Sequence, residues 1–296
     1  MRQMNSPAAA TLIGLCGVLM WSLFTVLTVA TGRVPPFQLA AMTFAIGGAL
    51  GAATWLVRPG GLAALKQPPE IWALGVSGLF GFHALYFLAL RLAPPAEAQL
   101  VNYAWPLLIV VLSAFLPNER LKAHHVGGVL LGIAGLVVLF GRDEVALRPE
   151  FLPGYMASLM AAVVWAVYSV VSRRLPAVPT DTVAGFCLAT ALLSLACHIA
   201  FETTVWPAGN GQWLAVLVLG MGPVGAAFYA WDHAIKHGDI RVLGVGAWAA
   251  PLLSTCYLVL AGHAEASRML ALAALLIAGG GVLSALDMFR KPETTA

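Results

Sequence analysis

Tryptophan, tyrosine, histidine and asparagine recur in this chain inside runs that are otherwise apolar. Trp21 precedes Phe24 and Thr25 by three and four residues, and Trp165 precedes Tyr168 and Ser169 by the same steps. His83 lies three before Tyr86, and Asn102 three before Trp105, with Gln99 and Tyr103 in the same run and Trp248 in a later one. Residues three and four apart share a helix face, so each group sets an aromatic plane beside a hydrogen-bonding atom. Buried indole, phenol and amide groups require partners, and a partly hydrated, protein-lined cavity supplies them. The chemistry open to such faces is non-covalent recognition, stacking for a bulky apolar group and hydrogen bonds for a polar one. Singly, each residue reads as a core aromatic filling a gap. The set favours a cavity, because polar and aromatic groups coincide on every face.

His83 is the one ionisable side chain placed deep in a run. Such a residue marks function by default, and a satisfied structural histidine is an equal reading. In its neutral form it offers a donor and an acceptor to a zwitterion. No Asp or Glu falls near the middle of any run, which weakens tight proton antiport as a mechanism. Covalent chemistry has one candidate signal, Gly75-Val76-Ser77-Gly78, the form found around the serine of rhomboid intramembrane proteases. Its nearest deep histidine, His83, sits six residues on, about 240° around the same helix, and faces away. An intramembrane serine protease is therefore a remote alternative. Cys16, Cys187, Cys197 and Cys256 all fall in apolar runs without metal-ligand spacing and read as small packing residues. No catalytic residue, metal or cofactor is expected, and the chain does not read as an enzyme.

The elements that must position these residues follow from composition. Of 296 residues, 60% are hydrophobic and 10% charged, with a mean hydropathy of +0.86. Soluble domains carry about 25% charged residues, so this chain belongs in a bilayer. A helical span needs roughly 20 apolar residues, and ten such runs are present, near 9–31, 36–57, 70–91, 95–116, 123–141, 152–173, 181–203, 211–235, 240–261 and 268–289. Connections are too short for a soluble domain, which leaves no module for nucleic acid. The first run is longer than the apolar core of a signal peptide and reads as a retained span. With the N-terminus cytoplasmic, eleven Lys and Arg lie on inner segments and five on outer ones. This satisfies the positive-inside rule and puts both termini in the cytoplasm.

The second half of the chain echoes the first. Asn102-Tyr103-Ala104-Trp105-Pro106-Leu107-Leu108 returns as Ala247-Trp248-Ala249-Ala250-Pro251-Leu252-Leu253, 251 − 106 = 145 residues later. Tyr86, Ala89, Leu90 and Arg91 face Trp231, Ala234, Ile235 and Lys236 at the same offset; Trp21 matches Trp165 at 144, and Gly135-Leu136 matches Gly281-Val282 at 146. Five spans per half make the copies point opposite ways, an architecture of secondary transporters with a midplane site between the halves. The expected fold is all-α, ten transmembrane helices in two inverted five-helix repeats, 1–146 and 147–296. Pro106 and Pro251 are expected as hinges, mid-helix prolines that kink the fourth and ninth spans beside the cavity.

Ten spans in two inverted halves, Trp-Ser and Trp-Ala in spans one and six, and the Pro106/Pro251 pair resemble the drug/metabolite transporter superfamily. Tyr103–Leu108, Tyr-Ala-Trp-Pro-Leu-Leu, is similar to the run found in bacterial aromatic amino acid exporters. Asn118-Glu119 departs from the Gly-Glu of many relatives. The resemblance implies a multi-pass protein of the bacterial inner membrane that exports aromatic and other bulky neutral amino acids and related metabolites by alternating access. It implies a cavity of Trp21, His83, Tyr86, Asn102, Tyr103, Trp105, Trp165, Tyr168 and Trp248, partnered by lipid and a small-molecule substrate, and is compatible with a monomer. A broad-specificity exporter of drugs and quaternary cations such as methyl viologen is the alternative, because an aromatic cage also takes cations.

Overall fold

The computed structural model describes residues 6–55, 61–105, 108, 111–112, 122–140, 148–172, 178–238, 247, 249–284 and 286. Among them the chain is helical: α1 (Pro7–Ser22), α2 (Phe24–Ala30), α3 (Pro36–Trp55), α4 (Pro69–Leu92), α5 (Pro95–Asn102), α6 (Ala123–Phe140), α7 (Leu152–Ser172), α8 (Thr182–Phe201), α9 (Asn210–Met221), α10 (Ala227–His237), α11 (Ala250–Leu260) and α12 (Arg268–Ser284). Proline opens α1, α3, α4 and α5, where its missing N–H is one that has no helical partner anyway.

Among the described residues, six stretches are long and apolar enough to cross a bilayer: Pro7–Ala30, Pro36–Trp55, Pro69–Leu92, Pro149–Ser172, Thr182–Phe201 and Asn210–Ala234. Shorter apolar helices, among them Ala250–Leu260, accompany them. Polarity runs inside out. Leu192, Ile199 and Leu260 are 70%, 75% and 84% exposed, while Thr43, Ser158 and His83 are buried. In water that arrangement would be ruinous; in lipid it satisfies both environments. The protein is a multi-pass membrane protein.

Charges at the helix ends do local work. Glu202 accepts from the backbone N–H groups of Phe37 (2.9 Å) and Gln38 (3.0 Å) at the start of α3, where the helix dipole favours an anion. His198 Nδ1 stands 2.9 Å from the same carboxylate. Arg91 donates to the carbonyls of Gly32 and Val34, fixing the turn after α2 in which Gly32 has φ +72°.

The helices pack in a pattern that maps onto itself when the halves are exchanged. α3 lies along α8 and α6 along α12, each the second or fifth span against its counterpart; α1 along α10 and α4 along α7 are each other's equivalents. Small residues permit the closest approaches. A Cβ on Gly280 would stand 2.5 Å from Gly128 O and 2.8 Å from Gly132 N, so α6 and α12 meet backbone to backbone, as helices in lipid do where small residues align.

The expected ten runs are not ten uninterrupted helices. The first span breaks at Leu23, between α1 and α2, and α5 stops at Asn102, with Tyr103–Ala104 a turn before helix resumes at Trp105. Between α9 and α10 the chain makes a π-turn over Gly222–Ala226. Pro251 differs from its expected mid-helix place: it falls in the first turn of α11, whose N-cap is Ala249. The physical reason is that a proline there forfeits no intrahelical bond, so the break precedes it. Ala104 and Ala249 are 145 residues apart, and both halves turn at that point. Pro106 and Trp248 lie outside the described residues.

Candidate functional site

The interruptions converge on one place. α1 ends at Ser22, whose carbonyl lacks a helical partner and accepts from Ser254 Oγ on α11 at 2.6 Å. With that hydrogen committed, Tyr103 OH donates to Ser254 Oγ at 3.3 Å. One hydroxyl thus ties the breaks of the first and fourth spans to the helix that follows the turn at Ala249. One turn away from Tyr103, Gln99 Nε2 donates to Thr255 Oγ1 at 3.4 Å. Ser254→Ala strands the Ser22 carbonyl and the Tyr103 hydroxyl together, and we expect a loss of about 1–2 kcal/mol, read as a lower thermal unfolding temperature in detergent. An unchanged melt would show that the breaks are held elsewhere.

A second ladder joins α5 to α7. Ser158 Oγ donates to Ala98 O at 2.5 Å, and Asn102 Nδ2 donates to Ser158 O at 3.3 Å. Further along, Tyr155 OH donates to the buried carboxylate of Glu97, with Arg148 3.8 Å from it. Glu97 follows a proline at a run's edge, so nothing in the sequence marked it as buried.

Against these ladders lies a cavity of about 80 Å³, lined by Trp21, His83, Tyr86, Asn102, Tyr103, Trp105 and Trp165 of the predicted set, together with Phe24, Thr25, Phe82, Phe228, Val18, Ala247 and Ala250. Seven of the nine predicted binding residues therefore meet on one space. Tyr168 does not line it: its ring covers Gly78, where a Cβ would stand 2.5 Å from Cδ2, and packs on Trp165 at 5.3 Å. No charged side chain is among the described lining residues. The volume equals two or three waters at about 30 Å³ each and is far below the ~300–1,000 Å³ of ligand pockets.

The walls are aromatic. Trp21 lies 6.4 Å from Trp165, 5.8 Å from Phe228 and 5.2 Å from Trp231. Thr25 Oγ1 and Tyr86 OH are 2.8 Å apart. His83 is ringed by Phe24, Phe44, Phe82, Phe87 and Phe228, and its Nδ1 donates to Leu79 O at 2.8 Å. A carbonyl can only accept, which fixes the proton on Nδ1. In its neutral form the ring then presents an acceptor at Nε2, one group rather than the donor and acceptor expected. Phe82 and Phe228 escaped the sequence reading. Phenylalanine has no polar handle to distinguish a cavity wall from a packed core, whereas Trp231 was visible as the echo of Tyr86.

The protease alternative finds no support in this geometry. Ser77 is exposed and donates to Leu74 O at 3.3 Å, while His83 is buried in its aromatic cage. Ser77→Ala is expected to leave solute flux unchanged in reconstituted vesicles; loss of flux at unchanged protein level would restore Ser77 to the mechanism.

Comparison with known proteins gives consistent results. The EamA-like transporter family matches twice, over residues 8–141 and 152–286. The aromatic amino acid exporter YddG of Ancylobacter novellus is 56% identical over 283 residues, 95% of this chain and 98% of that one. YddG of Escherichia coli K12 bears the same description and is 26% identical over 93% of this chain and 96% of its own. A solved crystal structure, 56% identical, superposes with a TM-score of 0.79 over 96% of this chain and 100% of that one. A doubled family match, a multi-pass helical fold and helix breaks around a cavity whose described lining is aromatic and uncharged all point one way: this chain belongs to the EamA-like transporter family, within the drug/metabolite transporter superfamily.

Proposed function

We propose that the protein exports aromatic and other bulky neutral amino acids across the bacterial inner membrane, with both termini cytoplasmic. Ten helices form two inverted five-helix repeats, 1–146 and 147–296, that rock about the cavity in alternating access. The observation that carries the substrate class is the aromatic wall, with no charged side chain among its described residues. Trp105, Trp165 and Tyr86 offer faces for an aromatic side chain. His83 Nε2 accepts from the substrate ammonium, and the Asn102 amide meets its carboxylate. Pro106 and Pro251 act as hinges, Pro251 from the first turn of α11. The name carried by the relative at 56% identity supports the same class.

The same faces favour one second reading, export of quaternary cations through cation–π contact. Efflux of labelled tryptophan from proteoliposomes, with and without a pH gradient and with methyl viologen as competitor, tests both. Saturable efflux above protein-free vesicles is expected. Efflux of the cation alone would replace the amino acid reading, and no flux of either would remove transport of both classes.

A further inference from the structure

The two repeat-related tryptophans hold different partners. Trp21 Nε1 donates to Pro223 O at 3.1 Å. Proline cannot donate a backbone hydrogen bond and crowds the carbonyl four residues before it, and the chain relieves this with the π-turn Gly222–Ala226. There Ala227 N–H bonds Gly222 O, one residue further back than an α-helix allows. The carbonyl it skips is that of Pro223, and Trp21 takes it. Such bulges gather at functional sites. Trp165, at 21 + 144 = 165, makes no indole hydrogen bond among the described residues; its ring rests on Phe82 and Tyr168, each at 5.3 Å.

The equivalent of Pro223 is Gly78, at 223 − 145 = 78, and the π-turn corresponds to Ser77–Gly81. That stretch lies inside α4 and is continuous helix. The pair α1·α10 and its counterpart α7·α4 therefore stand in different conformations, one interrupted at Leu23 and at Gly222–Ala226, the other unbroken. Two related interfaces in two conformations give the molecule a second arrangement with the roles reversed. Gly78 and Gly81 lower the cost of leaving the regular helix. Gly78, unlike Pro223, keeps an N–H that can return to the ladder, so a bulge there is reversible.

We propose that Trp21 and Trp165 are alternating positioning residues: Trp21 clamps the Pro223 carbonyl in the arrangement seen here, and Trp165 clamps the Gly78 carbonyl when Ser77–Gly81 opens in the opposite-facing one. The proposal rests on the alternating-access reading and adds the groups that bias it. Each tryptophan stabilises one facing of the cavity. Replacement by phenylalanine removes the N–H and keeps the ring.

The test uses a variant with its four cysteines changed to alanine and Ala250→Cys in the cavity wall. A membrane-impermeant maleimide is applied from either side of oriented vesicles. Loss of one buried hydrogen bond moves a two-state ratio by about fivefold. Trp21→Phe is expected to shift the ratio of labelling from the two sides by about that factor, Trp165→Phe in the opposite direction, and the double variant back toward the parent. Shifts of the same sign, or none, with labelling from both sides intact, would overturn the latch alone. Labelling from one side in every variant would overturn alternating access and the latch with it. Amide hydrogen exchange decides the matter if Trp21→Phe does not accumulate. Ser77–Gly81 should exchange faster than the rest of α4 in the parent and about fivefold slower in Trp165→Phe; uniform exchange along α4 in both would sink the proposal.

Discussion

Trp105→Ala is expected to lower the initial rate of labelled tryptophan efflux from proteoliposomes by tenfold or more at unchanged protein level. Trp105 stands where helix resumes after the turn at Tyr103–Ala104. It lines the cavity and packs on the cluster around Leu100, Ala250 and Leu258. Truncation removes an indole face on which an aromatic substrate would stack, about 0.5–1.5 kcal/mol beyond burial. It also removes most of the apolar area that the substrate would cover there, at about 25 cal/mol per Å². Those terms together exceed the roughly 1.4 kcal/mol that a tenfold change requires. Trp105→Phe keeps a face and should retain most of the flux. If alanine and phenylalanine behave alike, Trp105 serves packing rather than recognition.

The second large effect is on stability and lies away from the cavity. Gly280→Ala places a methyl 2.5 Å from Gly128 O and 2.8 Å from Gly132 N. These are backbone atoms, which cannot swing aside, so α12 must move off α6 along their whole contact. Overpacking of this kind costs about 1–3 kcal/mol, and here it also disrupts the packing of small residues that joins helices in lipid. We expect a marked fall in unfolding temperature and in accumulated protein. Gly279→Ala is the matched control, since its Cβ would find only Leu131 Cδ2 at 3.5 Å. Equal melts for the two variants would show that α6 and α12 are not held by this approach.

Much of the scaffold was legible because bilayer physics leaves few options. Runs of apolar residues punctuated by Pro36, Pro69 and Pro95 mark spans and their starts. The Gly128/Gly132 spacing on α6 is the kind of small-residue pattern that lets helices meet closely in lipid, and Gly280 supplies its other side. The cavity was legible where polarity broke an apolar run, as at His83, Tyr86, Asn102 and Trp105. Tyr168 has the same three-residue spacing from Trp165, but Gly78 on α4 leaves room for its ring, which packs there instead of on the cavity.

The interruptions were harder to read. Leu23 carries no glycine or proline to announce a break. The break is held from outside, by Ser254, 232 residues away in sequence. Pro251 announced one, but a proline tolerates a helix start better than a helix middle, so the turn lies at Ala249. Pro223 sits in a π-turn whose freed carbonyl is held by Trp21, 202 residues earlier in the chain. Tertiary hydrogen bonds decide where these helices stop, and periodicity within a run does not record them.

The central claim is that an aromatic amino acid is recognised in the cavity between the helix breaks. Equilibrium binding of labelled tryptophan to the purified protein tests it most directly. The predicted result is one site per chain, displaced by phenylalanine and lost in Trp105→Ala while Gly279→Ala binds as the parent does. Binding undiminished in Trp105→Ala would contradict it.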